Sequence, residues 1–338
     1  KSKLRCMPRF RTEEFDAQTL EQLMEAYPSL WQEVGASLVK TSQRGPEALA
    51  KMIDGATRAA SPWRNKIAKS HGNPQMVSAA LPYLAKARMT VLAVERTLAA
   101  IANGVQTSNT AHEGVKFNLW SGWLIQRLLF EAKLKRKPAS MRAFRWLWPF
   151  VTQRRLLMPL VQPQGIYCFY SAQLIARLKA RIGERQVLEV AAGDGTLSRF
   201  LKQSGVRIRS TDNRSWSHAI SYDDEVEALD AVSAVRRYRA PVVIASFPPP
   251  GNSFEAQILA AESTETYIVI STRHEFAAGN WLAYGEQNDF EREASAELSR
   301  LVLPPEIDPL VQIFERRSST SPAAKTPSPS RSSIERSR

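Results

Sequence analysis

One segment of the sequence combines an acidic residue with several small residues at a predicted strand-to-helix turn. It runs from Val187 to Ser198, with Glu189 in the apolar strand and Ala191, Gly193 and Gly195 in the turn. Because these turn residues lack bulky side chains, a ligand can approach their backbone closely. Parallel sheets bind their ligands at the carboxyl ends of the strands, so the segment predicts a ligand site there.

Acidic residues also end the next two predicted strands. Asp212 lies 19 residues beyond Gly193, and a carboxylate at this position can accept both hydroxyls of a ribose. Asp230, followed by Ala231, closes the third strand and can accept from an adenine amino group. Since acidic residues are frequent between 223 and 230, Asp230 can equally be a solvated acid. A nicotinamide site is disfavoured because the sequence has no G-x-G-x-x-G.

This arrangement resembles the S-adenosylmethionine-dependent methyltransferases of the Rossmann-like class, over residues 165–316. Their first motif, an acid followed by a glycine-rich turn, is matched by residues 189–195. Their ribose acid is matched by Asp212, their adenine acid by Asp230 and their fourth motif by residues 246–249. The resemblance implies S-adenosylmethionine as cofactor. It also implies that Gly193 and Gly195 flank the methionine part and that Glu189 orients the turn.

The sequence departs from the family pattern at two places. Ala191 stands where the first glycine is most common. The fourth motif reads Ser246-Phe247-Pro248-Pro249, whereas amino-methylating members usually have Asn or Asp, then two prolines and an aromatic residue. An adenine or cytosine acceptor therefore does not follow. A rigid proline-rich loop without a role in chemistry is the alternative interpretation.

Methyl transfer from a sulfonium depends mainly on holding donor and acceptor in line, and a base is needed only for a protonated acceptor. Ser246 and Phe247 are candidates for contact with the reacting groups, and Pro248, Pro249 and Asn252 for the acceptor wall. His274 follows a predicted strand and is the candidate base, although a lone histidine is more often a surface or hydrogen-bonded residue. The four histidines and two cysteines have no metal-ligand spacing, so no metal site is predicted.

The elements that must position these residues fall into four parts. We expect a flexible basic arm at 1–15, a helical basic domain at 16–160, the sheet domain at 165–316 and a disordered tail rich in Ser, Pro and Arg at 317–338. The predicted fold class is α/β, a mostly parallel sheet with helices on both faces, preceded by an all-α domain. Within the helical part, Pro82 is expected to start a new helix, and residues 118–137 are expected to form another.

Charge is unevenly distributed over the 338 residues, whose formal net charge is +13. Residues 116–160 contain ten Lys and Arg against one acid, interleaved with tryptophans. Such a pattern is typical of a nucleic-acid surface, but also of an amphipathic helix on an anionic membrane or partner. Aromatic packing between domains with a solvated basic face is the third interpretation.

These observations favour a methyltransferase whose acceptor is unidentified and whose helical domain shapes acceptor access. The alternative is a non-catalytic scaffold with the same fold and a basic surface for RNA or an acidic partner. No uninterrupted apolar run reaches the ~18 residues that cross a bilayer, so no transmembrane segment is expected. Two cysteines indicate reduced thiols and a cytoplasmic location. The chain starts at Lys1, which is typical of a fragment or processed form, and no pattern indicates an oligomeric state.

Overall fold

The computed structural model describes residues 15–70, 73–102, 119–132, 134–216 and 220–317. The expected basic arm and the expected disordered tail therefore lie outside the described residues, apart from Phe15 and Arg317 at their inner ends. All structural statements below concern the described ranges.

The N-terminal part is a group of helices that begin at capping signals. Thr19 and Gln22 form a reciprocal capping box at the first helix, and the second and third helices start at a proline. The last helix places Ala80, Leu84 and Met89 in the core. The four helices are α1 (Leu20–Ala26), α2 (Pro28–Ser42), α3 (Pro46–Lys69) and α4 (Pro74–Ala102).

Helix α4 differs from the expectation in two ways. It continues through Pro82, which was expected to start a new helix. Because the helix is continuous, its portion Pro74–Ala99 is long and apolar enough to cross a membrane by length and composition alone, contrary to the sequence-based expectation. Half of that apolar window is buried inside the fold, and a buried core helix passes the same test. Packing against the other helices therefore accounts for the buried half of this window.

The link between the two halves contains a small hairpin that the sequence did not indicate. The helix expected over 118–137 stops at Leu129, and the predicted all-α domain was wrong at this point. The physical reason is tertiary contact: the ring of Phe130 packs edge-on against Phe169 at 5.3 Å, and Arg136 is held in a buried ion pair. The elements are α5 (Leu119–Leu129), β1 (Phe130–Ala132), β2 (Lys135–Arg136), α6 (Met141–Leu147) and α7 (Leu157–Val161).

The C-terminal half is a seven-stranded sheet in the order β6-β5-β4-β7-β8-β11-β9. The first five strands in this order are parallel, and β11 runs antiparallel to both β8 and β9. A two-stranded pair, β3 (Phe169–Tyr170) with β10 (Val302–Leu303), lies beside it. The sheet strands are β4 (Val187–Val190), β5 (Ile208–Asp212), β6 (Val226–Ala228), β7 (Val242–Ser246), β8 (Thr266–Thr272), β9 (Phe290–Ala294) and β11 (Pro309–Arg316).

Alternate residues of the central strands feed two apolar layers. Helices α8 (Ala172–Ile182) and α9 (Thr196–Gln203) share a core with residues such as Val187 and Ile244. Helices α10 (Ala231–Tyr238) and α11 (Phe254–Ala260) share the opposite layer. The two remaining helices are α12 (Trp281–Glu286) and α13 (Ala296–Ser299). The predicted Rossmann-like α/β architecture, a mostly parallel sheet covered on both faces, is confirmed.

Helix α2 packs onto the loops at the carboxyl edge of the sheet. Trp31 Nε1 donates to Glu275 Oε1 at 3.3 Å, and a Cβ on Gly35 would lie 3.1 Å from Glu275 Oε2. Val39 lies 3.6 Å from the position of a Cβ on Gly251. The helical part therefore lies directly over the loops that follow β7 and β8.

Burial under α2 raises the pKa of the Glu275 carboxyl from its ordinary value of 4.5 to about 7. Since the folded state takes up this proton, the stabilisation is present below pH ~4.5 and is lost as the pH rises towards 7. Glu275→Gln should reduce the pH-dependent change in unfolding free energy by about 2 kcal/mol. The reduction is modest because the carboxyl is partly exposed. Guanidinium unfolding at pH 5 and pH 7.5 measures it.

Glu262→Gln, at an exposed carboxyl, is the matched control and should keep the wild-type difference between the two pH values. Part of the dependence should remain in Glu275→Gln, because burial also raises the pKa of Glu189 to about 7. Identical pH profiles for wild type and Glu275→Gln would contradict this prediction.

Candidate functional site

The turn between β4 and α9 has an unusual backbone. Ala191, Gly193 and Gly195 all have positive φ angles, of 49°, 55° and 71°. A Cβ on Gly195 would lie 2.6 Å from Val226 Cγ2, so packing requires glycine there. A Cβ on Gly193 would meet nothing within 4 Å. Gly193 therefore faces open space, and Ala191 holds a conformation that a non-glycine residue adopts only at a cost.

Asp212, at the end of β5, fastens this turn. Its Oδ2 accepts from the backbone N–H of Gly193 at 2.9 Å, and its Oδ1 accepts from the N–H of Arg214 at 2.7 Å. The parallel pairing of β4 with β5 sets Val190 opposite Thr211, which brings the carboxylate beside the turn. The strand order also reverses at β4, since β5 and β7 lie on its two sides, and such a reversal opens a crevice beyond the strand ends.

Glu189 lies beneath the turn, fully buried. Its Oε2 accepts from the backbone N–H of Ser198 at 3.0 Å and also from the Ser198 hydroxyl. Burial raises the pKa of this carboxyl to about 7. The side chain does not line the cleft, and its contacts hold the first turn of α9 against β4.

A cleft of about 1120 Å³, including its solvent-open mouth, lies over the reversal point. Several residues singled out in the sequence line it: Ala191, Gly193, Asp212, Ala231, Ser246, Phe247 and Pro249. Others singled out do not line it: Glu189, Gly195, Asp230, Pro248, Asn252 and His274.

Ser246 belongs to a hydrogen-bonded group on the cleft wall. Its hydroxyl lies 2.7 Å from the Tyr170 hydroxyl and 3.8 Å from Cys168 Sγ. Burial raises the pKa of Tyr170 well above 10 and that of Cys168 to about 11. Both groups are therefore neutral near pH 7 and act as hydrogen-bonding partners.

Phe247 forms part of an aromatic wall. Its φ of 51° is a strained conformation for this residue type, and its N–H donates to the carbonyl of Ile270 at 2.7 Å. The Phe247 ring lies nearly parallel to that of Tyr167, with centroids 6.2 Å apart. Tyr167 Oη accepts from Trp216 Nε1 at 2.8 Å, and all three aromatic side chains line the cleft.

The remaining predicted residues have structural partners outside the cleft lining. Asp230 is exposed and caps α10, because its Oδ1 accepts from the N–H groups of Val232 and Ser233 at 3.1 and 3.0 Å. Hydrogen bonds, chiefly from Ser233, lower the pKa of this carboxyl. Its neighbour Ala231, the first residue of α10, lines the cleft.

Asn252 and His274 serve the loops rather than the cleft. Asn252 Nδ2 donates to Glu255 Oε2 at 2.6 Å and to the carbonyl of Pro249 at 2.7 Å. The His274 ring lies 5.6 Å from that of Phe276, and burial lowers its pKa. His274 does not line the cleft, and its role as a base stays a prediction without support from the cleft geometry.

Sequence reasoning missed Arg136, which reaches the cleft from the hairpin before the sheet domain. Its side chain is 5% exposed, and its Nη2 lies 2.5 Å from Asp194 Oδ1. Its Nη1 donates to the carbonyl of Cys168 at 2.7 Å. In the sequence it was one of ten basic residues, and no signal there separates a buried arginine from its solvated neighbours. In the ranges that the structure describes, no cluster of His, Cys, Asp and Glu could hold a metal ion.

Comparisons with known proteins give limited similarity. No family model matches the chain, and no curated protein matches it. Among solved structures it is similar to the CcbJ methyltransferase from Streptomyces caelestis, with 12% identity over 43% of this chain and 89% of that one, at a TM-score of 0.29. The magnesium protoporphyrin IX methyltransferase of Synechocystis PCC 6803 shows 13% identity over 53% of this chain and 92% of that one, at a TM-score of 0.33.

A third similar structure is the 1,6-didemethyltoxoflavin-N1-methyltransferase of Burkholderia thailandensis. Its identity is 12% over 56% of this chain and 94% of that chain, at a TM-score of 0.30. At such values the likenesses assign no function. The fold rests on the strand order, and a functional assignment must rest on the geometry of the cleft.

The Arg136–Asp194 ion pair should be a major stabilising contact between the hairpin and the sheet domain. Arg136→Met removes the guanidinium and leaves the Asp194 carboxylate without its cationic partner. We therefore expect a loss of about 3 kcal/mol in the free energy of unfolding. Arg154→Met removes an ion pair whose arginine is 46% exposed and should cost less than about 1 kcal/mol. Urea unfolding at pH 7 compares the two, and equal losses would contradict this prediction.

Proposed function

We propose that this chain binds S-adenosylmethionine in the cleft and transfers its methyl group to an acceptor, with the N-terminal helices shaping acceptor access. The observation that carries the proposal is the Asp212 carboxylate bonded to the backbone of Gly193 where the strand order reverses. It combines an acid suited to a ribose with bare backbone suited to the sulfur end of the cofactor.

The residues present fit this cofactor. Gly193 faces open space that the Cβ of any other residue would partly fill. Because glycine leaves this space free, a ligand can approach the backbone of the turn closely. Each oxygen of Asp212 accepts one backbone N–H and retains a lone pair for a ribose hydroxyl. Ala231, the first residue of α10, provides a small apolar flank for the adenine. Asp230 stays a proposal for the adenine amino group, beside its bonds to the N–H groups of α10.

The cofactor supplies an activated methyl group, and the chain's own contribution is to orient the reactants and exclude water. Tyr167, Trp216 and Phe247 form an aromatic wall suited to excluding water from the sulfur end of the cleft. Ser246 and Tyr170 present paired hydroxyls that can hold a polar group of the acceptor.

No free base is found among the described residues that line the cleft. Asp194 is paired with Arg136, Asp212 accepts two backbone bonds, and Cys168 is neutral near pH 7 because burial raises its pKa. This favours an acceptor whose nucleophilic atom already carries a free lone pair at neutral pH.

Helix α2 is placed to restrict the acceptor. It lies over Gly251, in the proline-rich loop, and over Glu275, in the loop after β8. Pro249 and Pro250 of the former loop line the cleft. An acceptor entering past this loop must therefore fit beside the helical part.

Asp212→Ala should weaken S-adenosylmethionine binding by at least tenfold, because two charge-assisted hydrogen bonds to the ribose are lost. Isothermal titration calorimetry measures the affinity, with circular dichroism confirming that the variant is folded. Asp224→Ala, at an exposed acid of the same loop region, is the control and should bind like wild type. Unchanged affinity in Asp212→Ala would remove the basis of the proposal.

Gly193→Ala should separate ligand binding from stability. Both Gly193 and Gly183 have positive φ and free space around a Cβ, so alanine at either position should cost about 1–2 kcal/mol in unfolding free energy. Only at Gly193 does the new methyl group enter the cleft, so only there should S-adenosylmethionine affinity fall, by at least tenfold. Equal affinities in Gly193→Ala and Gly183→Ala would show that the turn does not contact the cofactor.

Transfer itself is tested with methyl-labelled S-adenosylmethionine and fractionated cell extract. Label incorporation by wild type but not by Asp212→Ala supports the enzyme and identifies the acceptor fraction. Tight cofactor binding without incorporation in any fraction would favour the non-catalytic scaffold instead.

A further inference from the structure

Large apolar side chains exposed on the described surface are concentrated in one short part of the chain. Eight such side chains are exposed, and six of them fall between residues 119 and 150. Leu119 is 94% and Trp146 is 73% exposed. We define the aromatic patch as Leu119, Trp120, Trp123, Trp146 and Phe150.

The patch is held by two neighbouring segments. The rings of Trp120 and Trp123, on α5, stack with centroids 5.6 Å apart. Those of Trp146 and Phe150 meet edge to face at 6.5 Å. The hydroxyls of Ser121 and Thr152 lie 3.3 Å apart and join the start of α5 to the segment that follows Phe150.

Folding does not account for these side chains. Helix α5 buries its other face in the core through Leu124, Ile125 and Leu128. The exposed tryptophans therefore add nothing to that core. Two pairs of exposed rings on neighbouring segments leave a large apolar area on the surface, and such areas in proteins mark interaction sites.

The rim of the patch is positively charged. Arg127, Arg142, Arg145 and Arg155 are exposed, and none of them pairs with an acidic side chain among the described residues. The nearby acids are already engaged, Glu131 with Lys135 at 3.4 Å and Glu306 with Arg154 at 3.2 Å. The surface thus combines apolar rings with uncompensated cations.

We propose that the aromatic patch docks on an anionic phospholipid surface. Tryptophan favours the boundary between head groups and acyl chains, and basic residues beside it are attracted by anionic lipids. An exposed leucine suits acyl chains and has no role in stacking on bases. Trp120 and Trp123 already cover one face of each other, which leaves less ring surface for the bases of a nucleic acid.

The test uses the full chain and vesicles of phosphatidylcholine, either pure or mixed with an equal amount of phosphatidylglycerol. In flotation assays the protein should rise with the mixed vesicles at low salt and dissociate as NaCl is raised. Brominated phosphatidylcholine in the mixed vesicles should quench tryptophan fluorescence. This assay needs no cofactor, so failure of the methyltransferase proposal would leave it unaffected.

Two pairs of matched variants localise the binding. Trp120→Ala/Trp123→Ala should lower the partition into mixed vesicles at least tenfold, whereas Leu282→Ala, at an exposed apolar residue outside the patch, should not. Arg142→Ser/Arg145→Ser should lower it on the order of tenfold, whereas Arg44→Ser/Arg236→Ser should not. Circular dichroism verifies that each variant is folded.

Three results would overturn the proposal. The first is absence of binding to mixed vesicles, or binding that the tryptophan and arginine variants leave unchanged. The second is tighter binding of a single-stranded RNA oligonucleotide that is lost in the same variants, which would make the patch a nucleic-acid surface. The third is a dimer, seen by sedimentation, that Trp120→Ala/Trp123→Ala dissociates, which would make it an interface between two copies.

Discussion

The bond from the Gly193 N–H to the Asp212 carboxylate is the contact on which the site depends. It joins the ends of two parallel strands at the reversal point, one residue beyond their last backbone pairing, in which the Ala192 N–H donates to the Thr211 carbonyl at 3.1 Å. Without this acceptor the turn would have an unsatisfied N–H beside a cleft, which is costly where water is excluded. One carboxylate therefore both shapes the turn and presents an acceptor surface to whatever enters the cleft.

Both halves of the chain build this site, although they differ in fold and in charge. Arg136 enters from the hairpin of the basic half and fixes Asp194 in the turn. Helix α2 covers the loops on the other side through Trp31 and Glu275. A single apolar core runs through the helices and one face of the sheet, from Leu23 to Ile313. Changes in the helical half should therefore be felt at the cleft, and the predicted boundary near 160 marks a change of pattern rather than a break in packing.

The sequence was most informative where local pattern and tertiary structure agree. Residues 187–198 and Asp212 were predictable because a buried parallel strand, a small-residue turn and a helix each have a local signature. The helix expected through residue 137 failed because Phe130 and Arg136 gain contacts with distant residues. Strand β9 was missed for a related reason, since its four residues after Phe290 are exposed and its sequence, FEREA, lacks an apolar alternation.

The candidate site residues also divide into those that local sequence could predict and those that it could not. Backbone-dependent positions such as Gly193 could be predicted from residue type, because few residues satisfy their geometry. Side-chain positions such as Arg136 could not, because burial depends on which distant elements pack together. His274 illustrates the converse limit. Its place after β8 was predicted correctly, but strand position does not fix the direction of a side chain, and the ring packs beside Phe276.

Strained backbone conformations and buried carboxyl groups both occur around the ends of the central strands. Ala191 after β4 and Phe247 after β7 both have positive φ, at a cost of about 1–2 kcal/mol each. A buried carboxyl anchors the helix that follows each of these two strands. Glu189 holds Ser198 of α9, and Glu255 of α11 accepts from Tyr267 and Tyr284, both at 2.5 Å. Such conformations persist only where the surroundings over-determine them. These hydrogen bonds hold the segments that follow the two strained residues. Glu189 holds the first turn of α9, and Glu255 also accepts from Asn252, at the end of the proline-rich loop, at 2.6 Å.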